Sequence, residues 1–458
     1  MSQVLIKKSP AKVQKFNTLQ ILKGSLYIIW GASALFLIMT LTGINAQRQT
    51  IKIIGKDTAP SVITAQKIKD SLAGMDANAV NELLEKSGQN TEAVNGYNER
   101  YQAFAERLID AAKNITYESE KKQIITMILS LDDYLMKIQR ARDFNELGKT
   151  QEVLKTYQEA AEIMDYQLLI AADLLDDINF KALDKTYNNY VLSYITIMFV
   201  IAISGLLLLG ILIKLQMFLN YKMNRLLNPM LLVASGITLI FMGYVMGALK
   251  SSFDNIKIAK EDAFTSVHVL RQSRALAYMA NADESRYLLD KGNAVNHEKA
   301  FFDKIAKIIE LPPGQNFDQV IQTLKQGQKV PGLKGYLADE LNNITFPGEK
   351  ESVIETLQNL KVYVEIDKQI RQLEESGQHL AAIALCTGTQ PQQSNWAFEE
   401  FKKAHQKTLD LNLNQFEQNI KKGEEELNNF EITTSVAMFL VGSFTLLGLK
   451  PRIKEYSD

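Results

Sequence analysis

The stretch YVLSYITIMFVIAISGLLLLGILI, residues 190–213, contains no Asp, Glu, Lys, Arg or His. An α-helix of about 20 apolar residues crosses a hydrocarbon core of about 30 Å, so this segment is read as a membrane span. Three further charge-free apolar stretches, 24–46, 229–249 and 432–449, read the same way, the last being the shortest. The first follows a basic tail with Lys7, Lys8, Lys12, Lys15 and Lys23, as a signal peptide would, but IMTLTGINAQRQ (38–49) keeps it apolar too long, so it is read as a retained anchor. The expected fold class is an all-α integral membrane protein with four transmembrane helices and two extracytoplasmic helical-bundle domains.

Orientation follows from the flanks. The tail 1–23, the connection 214–228 (Lys214, Lys222, Arg225, no acid) and the tail 450–458 (Lys450, Arg452, Lys454) are rich in positive charge, which the positive-inside rule makes cytoplasmic. Both termini are then cytoplasmic, in a multi-pass protein of the cell inner (plasma) membrane. The segments 47–189 and 250–431 lie on the other side, and the plan repeats: span, long segment, span, short turn. Counting gives 18 basic against 23 acidic side chains in the first segment and 22 against 27 in the second, so neither hugs an anionic surface.

Composition excludes several function classes. With 51 basic and 52 acidic residues the net charge is -1, and no nucleic-acid partner is indicated. Cys386 is the single cysteine, so no internal disulfide forms and a cysteine zinc site has nothing to build on. His268, His297, His379 and His405 are scattered, and no metal site or cofactor is expected. No phosphate loop, nucleophile elbow or HExxH is present, so no enzyme and no catalytic residue is expected. The spans lack the ionisable groups that mark ion paths, which disfavours a pump or channel. Gly243 and Gly247 form a GxxxG pattern that would let two helices approach closely.

The first long segment is helical by periodicity, with breaks at 87–88, 114–116 and 148, and reads as an up-down four-helix bundle whose last helix runs into the second span. Asp165, Asp173, Asp176, Asp177 and Asp184 on that last helix read as a solvated acidic face rather than a calcium site, because the glycine-containing loop is missing. The second segment begins with a helix over 251–291, is broken by LPPGQ (311–315), VPGLKG (330–335) and FPG (346–348), and restarts at a capping-box pair, Ser352 and Glu355. After the loop CTGTQPQQSN (386–395) a helix from Trp396 leads into the fourth span.

In RALAYMANADESRYLLD (274–290) and the residues before it, steps of three and four pass through Phe264, Val267, Arg271, Arg274, Tyr278, Asn281, Ser285 and Leu288, a coiled-coil-like seam with a polar middle. Unpaired guanidinium groups are costly to bury. Arg271 and Arg274 therefore either form internal ion pairs or fan into solvent, or fix the carboxylate of a ligand or partner. Asp283 and Arg286 sit one turn apart and can pair. On the final helix His405 belongs to a second stripe that turns polar partway, so the two polar stretches face each other. The candidate ligand- or partner-binding residues are Arg271, Arg274, Tyr278, Asn281, Asp283, Ser285, Arg286 and His405.

DAFTSVHVLRQSRALAYMANADESRYLLD (262–290) and ALCTGTQPQQSNWAFEEFKKAHQKTLDLN (384–412) resemble the second outer domain of the GlnX-type four-span signalling proteins of actinobacteria and cyanobacteria. The first outer segment resembles the four-helix-bundle sensory domain of chemoreceptors. The GlnX resemblance implies two partners, a periplasmic solute-binding lipoprotein of the glutamate/glutamine type and a cytoplasmic Ser/Thr kinase, and so a protein that couples extracytoplasmic amino-acid status to that kinase. The short cytoplasmic segments carry no output domain, so a signal must pass to another protein. The basic turn 214–228 holds membrane lipid or an acidic partner, and a homodimer is possible. The alternatives are a structural or scaffolding envelope protein, or a transport accessory subunit.

Overall fold

The computed structural model describes residues 17–223 and 227–456. Lys7, Lys8, Lys12, Lys15, Arg225 and Asp458, which enter the charge argument for orientation, lie outside the described residues. The protein is an all-α membrane protein with four helices long and apolar enough to cross a membrane. In chain order the helices are α1 (Thr18–Leu83), α2 (Thr91–Lys113), α3 (Glu118–Glu146), α4 (Thr150–Lys222), α5 (Pro229–Leu289), α6 (Ala294–Ile308), α7 (Phe317–Lys325), α8 (Tyr336–Asn342), α9 (Glu349–Glu375), α10 (His379–Thr387), α11 (Ser394–Glu425) and α12 (Phe430–Glu455). Among the described residues the one extended pairing is an isolated bridge between Glu310 and Lys334.

Helices α1, α4 and α5 are uninterrupted but each contains a π-helical turn, at Ile53–Thr58, Met164–Leu168 and Ile258–Phe264. Such turns insert one residue into the α-helical ladder. The last span differs, because residues 426–429 leave the helix and Asn429 takes a left-handed backbone (φ 63°) before α12 begins. The restart expected at Ser352 comes earlier: Gly348 caps α9, and the buried carboxylate of Glu349 takes the backbone N–H groups of Thr345 and Phe346 at 2.8 and 3.0 Å, leaving Ser352 inside the helix.

The chain folds into two compact units. The membrane unit comprises the described residues up to Thr50, Tyr190–Phe253 and those from Gly423 on. Its close helix approaches are at Gly43, where an added Cβ would lie 2.7 Å from Ile197, and at Gly205, where it would meet Met242 at 2.7 Å and Phe36 at 3.2 Å. Gly243 and Gly247 have nothing within 4 Å of such a Cβ, so the GxxxG pattern is not a helix contact within this chain. Ile28, Ile195, Phe199, Leu206, Ile240 and Phe439 point outward, as side chains solvated by lipid do.

The helical unit comprises Ile51–Asn189 and Asp254–Lys422, so the two long segments, separate bundles by sequence, build one unit. Its core mixes Leu72, Phe104 and Tyr134 of the first segment with Leu270, Tyr363 and Phe401 of the second. Fully burying a residue such as Phe104 or Phe401 stabilises by ~1.5–3 kcal/mol each.

The two halves are copies. At a constant spacing of 205 residues, Leu26, Gly31, Phe36, Ile51, Lys52, Ile53, Asp57, Ser61 and Val62 recur as Leu231, Gly236, Phe241, Ile256, Lys257, Ile258, Asp262, Ser266 and Val267. Both π turns at Ile53 and Ile258 begin at matched residues. Phe36 and Phe241 meet edge to face, with ring centroids 6.2 Å apart. Downstream, NITYESE (114–120) matches NITFPGE (343–349). In each, the glutamate takes the N–H of the threonine and of the aromatic residue, and the asparagine Nδ2 donates to a matched serine, Asn114 to Ser61 (2.7 Å) and Asn343 to Ser266 (3.0 Å).

Candidate functional site

Arg286 is held inside the helical unit by the first segment. Its Nη2 lies 2.6 Å from Asp76, its Nη1 2.9 Å from Asp165 and 3.3 Å from Asp283, and its Nε donates to the Tyr157 hydroxyl at 3.0 Å. Lys304 also pairs with Asp283. Burial pushes the Asp76 carboxyl up, against the pull of Arg286. Arg286 and Asp283 thus form an internal knot that ties α5 to α1, α4 and α6, and their charges are spent on one another.

Beside the knot, Glu284 is completely buried. Ser394 at the start of α11 donates to its two oxygens at 2.9 and 2.8 Å, and the Tyr363 hydroxyl (3.3 Å) and Asn281 Nδ2 (3.4 Å) point at it. Burial, with Asp367 nearby, raises its pKa to about 8, so the carboxyl is protonated and uncharged at neutral pH. Ser285 accepts from Asn81 Nδ2 (3.4 Å) and touches the Cys386 thiol (3.6 Å), which burial keeps protonated.

The two polar stripes do meet. His405 Nε2 is 2.9 Å from Ser273 Oγ, Arg274 donates to Gln406, and Tyr278 packs edge to face on Phe398 with centroids 5.2 Å apart. Burial, then the charges of Arg274 and Arg271, lower the His405 pKa to about 3, so it is neutral. Arg271 is buried with Nη1 3.4 Å from Asp70.

Where the stripes meet, a cleft of about 670 Å³ opens between α1, α2, α5 and α11. Asn81, Arg100, Tyr278, Asn281, Trp396 and Lys402 line it. Arg100 stacks over the Tyr278 ring at 4.7 Å and donates to its hydroxyl, and Lys402 sits 5.3 Å from the same ring. Glu92, Glu99, Glu399, Glu400 and Lys403 line the cleft too, so aromatic faces, amides and charges of both signs converge there, which suits a small polar solute.

Of the eight residues expected from sequence, Tyr278 and Asn281 line this cleft, Arg271, Asp283, Ser285, Arg286 and His405 are buried in internal networks, and Arg274 is half-buried against Gln406. Arg100, Asn81, Trp396 and Lys402 were not among the expected residues. Arg100 and Arg107, one heptad apart beside the apolar Tyr97 and Phe104, carry the same polar-in-apolar signal that singled out Arg271 and Arg274. Of the five aspartates of α4, Asp173, Asp177 and Asp184 keep exposed side chains, as the solvated-face reading expects, and Asp177 pairs with Lys181 one turn on, while Asp165 and Asp176 turn inward. Asp165 pairs with Arg286, Asp173 with Lys69 and Asp184 with Lys260, while Asp176 is buried against Gln272 and His268.

Residues 50–188 match the family model of the Actinobacterial sensor domain. No curated protein and no solved structure matches the chain. The sensor-domain match and the four candidate spans together support a sensor membrane protein.

Proposed function

We propose that this sensor sits in the cell inner (plasma) membrane with both termini cytoplasmic, and that it couples extracytoplasmic amino-acid status, read directly or through a solute-binding protein, to a cytoplasmic effector such as a Ser/Thr kinase. The observation that carries the reading is the make-up of the cleft: two of its walls, α1 (Thr18–Leu83) and α5 (Pro229–Leu289), are the helices that also contain the first and third spans. A solute that prefers one arrangement of these walls shifts the population of that arrangement by its difference in affinity, ~1.4 kcal/mol for each factor of ten. Lys214 and Lys222, in the connection between the second and third spans, support a cytoplasmic placement of that connection.

The test uses intact cells given external glutamate or glutamine, with phosphorylation of cytoplasmic proteins as the readout. The wild type responds, and Trp396→Ala, which strips an aromatic wall from the cleft, blunts the response by tenfold or more in ligand concentration. An identical response in a strain lacking the protein would refute the coupling and favour a scaffolding role. Altered uptake with unaltered phosphorylation would favour a transport accessory.

A further inference from the structure

The helical unit gathers cations where its two copies meet. At the 205-residue spacing, Gln66-Lys67-Ile68-Lys69 of α1 matches Arg271-Gln272-Ser273-Arg274 of α5. The matched turns touch, since Lys69 Nζ donates to Gln272 Oε1 at 3.1 Å and Arg271 lies 3.4 Å from Asp70. Helix α2 brings Arg107, which donates to the Lys67 carbonyl at 2.9 Å and to Ser71 Oγ, and Arg100 one heptad before it.

Only part of this charge is neutralised. Lys69 has Asp173 and Arg271 has Asp70. Among the described residues, Arg100, Arg107, Arg274 and Lys67 have no carboxylate at ion-pair distance; the three arginines bond to the neutral oxygens of Tyr278, Lys67, Ser71 and Gln406. The four are electrostatic neighbours. Desolvation lowers the pKa of Lys67, with Arg271 and Arg107 adding to it, and that of Arg107, with Arg100 and Arg274 adding to it; Asp70 acts on both in the opposite sense, and the exposed Asp410 acts on Lys67. Polar atoms of both kinds are left over too: Arg271 Nε and Gln66 Nε2 are buried donors without a partner, and Gln66 Oε1 and Asp70 Oδ1 are buried acceptors without one. His405, on the α11 side, is uncharged and adds nothing to the positive field.

Half-buried cations that outnumber the carboxylates beside them repel one another, and an oxyanion with several acceptor oxygens relieves that repulsion while taking bidentate guanidinium bonds. We propose that the seam around Lys67, Arg107, Arg271 and Arg274 is a binding site for a small oxyanion of two negative charges. The assignment rests on the sensor reading, for which it names the chemical class of the solute.

The experiment follows thermal unfolding of the full chain in detergent micelles, titrated with sulfate, hydrogen phosphate or succinate at constant ionic strength set with sodium chloride. Saturable stabilisation is expected from at least one of them. Sulfate and phosphate acting without succinate would assign a tetrahedral anion, and succinate acting alone a dicarboxylate. The double variant Arg107→Gln, Arg274→Gln should weaken the midpoint concentration at least tenfold, and the milder Lys67→Gln, on a half-exposed side chain, about threefold, which keeps the test open if the double variant does not fold. Stabilisation no greater than that of chloride at matched ionic strength, or equal in wild type and Lys67→Gln, overturns the proposal. Stabilisation by neutral amino acids that Trp396→Ala abolishes, with no response to the anions, would leave the sensor reading standing and remove the anion site alone.

Discussion

Replacing Glu340 by glutamine should make the protein more stable above pH 8 and leave it almost unchanged at pH 5. Glu340 on α8 is fully buried, takes hydrogen bonds from Asn412 Nδ2 (3.0 Å) and Ser266, and faces the equally buried carboxyl of Glu349. Burial first, and then the opposed Glu349, raise its pKa from 4.5 to about 8. The folded protein therefore holds a proton that the unfolded chain releases above about pH 4.5. Stability contributed by that proton is fully present below pH 4.5 and is lost as pH rises to about 8. At ~1.4 kcal/mol per pH unit, a rise from 4.5 to about 8 is worth up to ~5 kcal/mol. The amide cannot ionise and offers an N–H to the facing Glu349 oxygen, so the variant keeps the bond that the wild type loses. At ~1.5 °C per kcal/mol, from an unfolding entropy of ~2.1 cal/mol/K per residue over roughly 300 residues, the gap in thermal midpoint should open to roughly 6 °C between pH 5 and pH 9. The assay is heat unfolding of the full chain in detergent, followed by circular dichroism, at half-unit steps of pH. Parallel pH profiles for wild type and Glu340→Gln would refute the reasoning.

His405 has the opposite sign. Its pKa is depressed to about 3, so its contribution is present above about pH 6.5 and is lost as pH falls towards 3; His405→Gln should flatten the acid limb of the same profile. Arg286→Met removes the guanidinium from between Asp76, Asp165 and Asp283 and should destabilise by ~3–5 kcal/mol, because the carboxylates stay buried without it; denaturant midpoints measure this, and a loss under ~1 kcal/mol would deny the knot its role. In the spans, Gly205→Leu should lower the yield of folded protein through collision with Phe36 and Met242, whereas Gly243→Leu should be tolerated, as gel filtration of solubilised protein will report.

The spans were legible because hydropathy over 20 residues needs no partner to interpret. Helix breaks at 87–88, 114–116 and 148 were legible for a similar reason, since glycine and asparagine act locally. What escaped was non-local. Periodicity identifies which face of α1 or α5 is buried, not that each buries it against the other, so two bundles were expected where the halves share a core. Asp165 and Asp176 could not be told from the exposed aspartates of α4, because their partners Arg286, Gln272 and His268 lie on a helix far away in sequence. The copy relation was open to a direct comparison of 24–62 with 229–267, which a reading segment by segment does not make. The polar interruption in the α5 seam pointed to Tyr278 and Asn281, which line the cleft. Arg286 belongs to the same interruption but serves the fold, because a polar residue in an apolar seam says that a partner exists and not which one.

The π turns have a historical consequence. Adding one residue to a helix swings everything beyond it by about 100°. The insertions begin at matched residues in both halves, so they are most simply inherited from a single ancestral helix that carried one before it was doubled. Lineages descended from that ancestor should conserve the residue count between the span and Ser61 or Ser266 more strictly than they conserve the residues themselves.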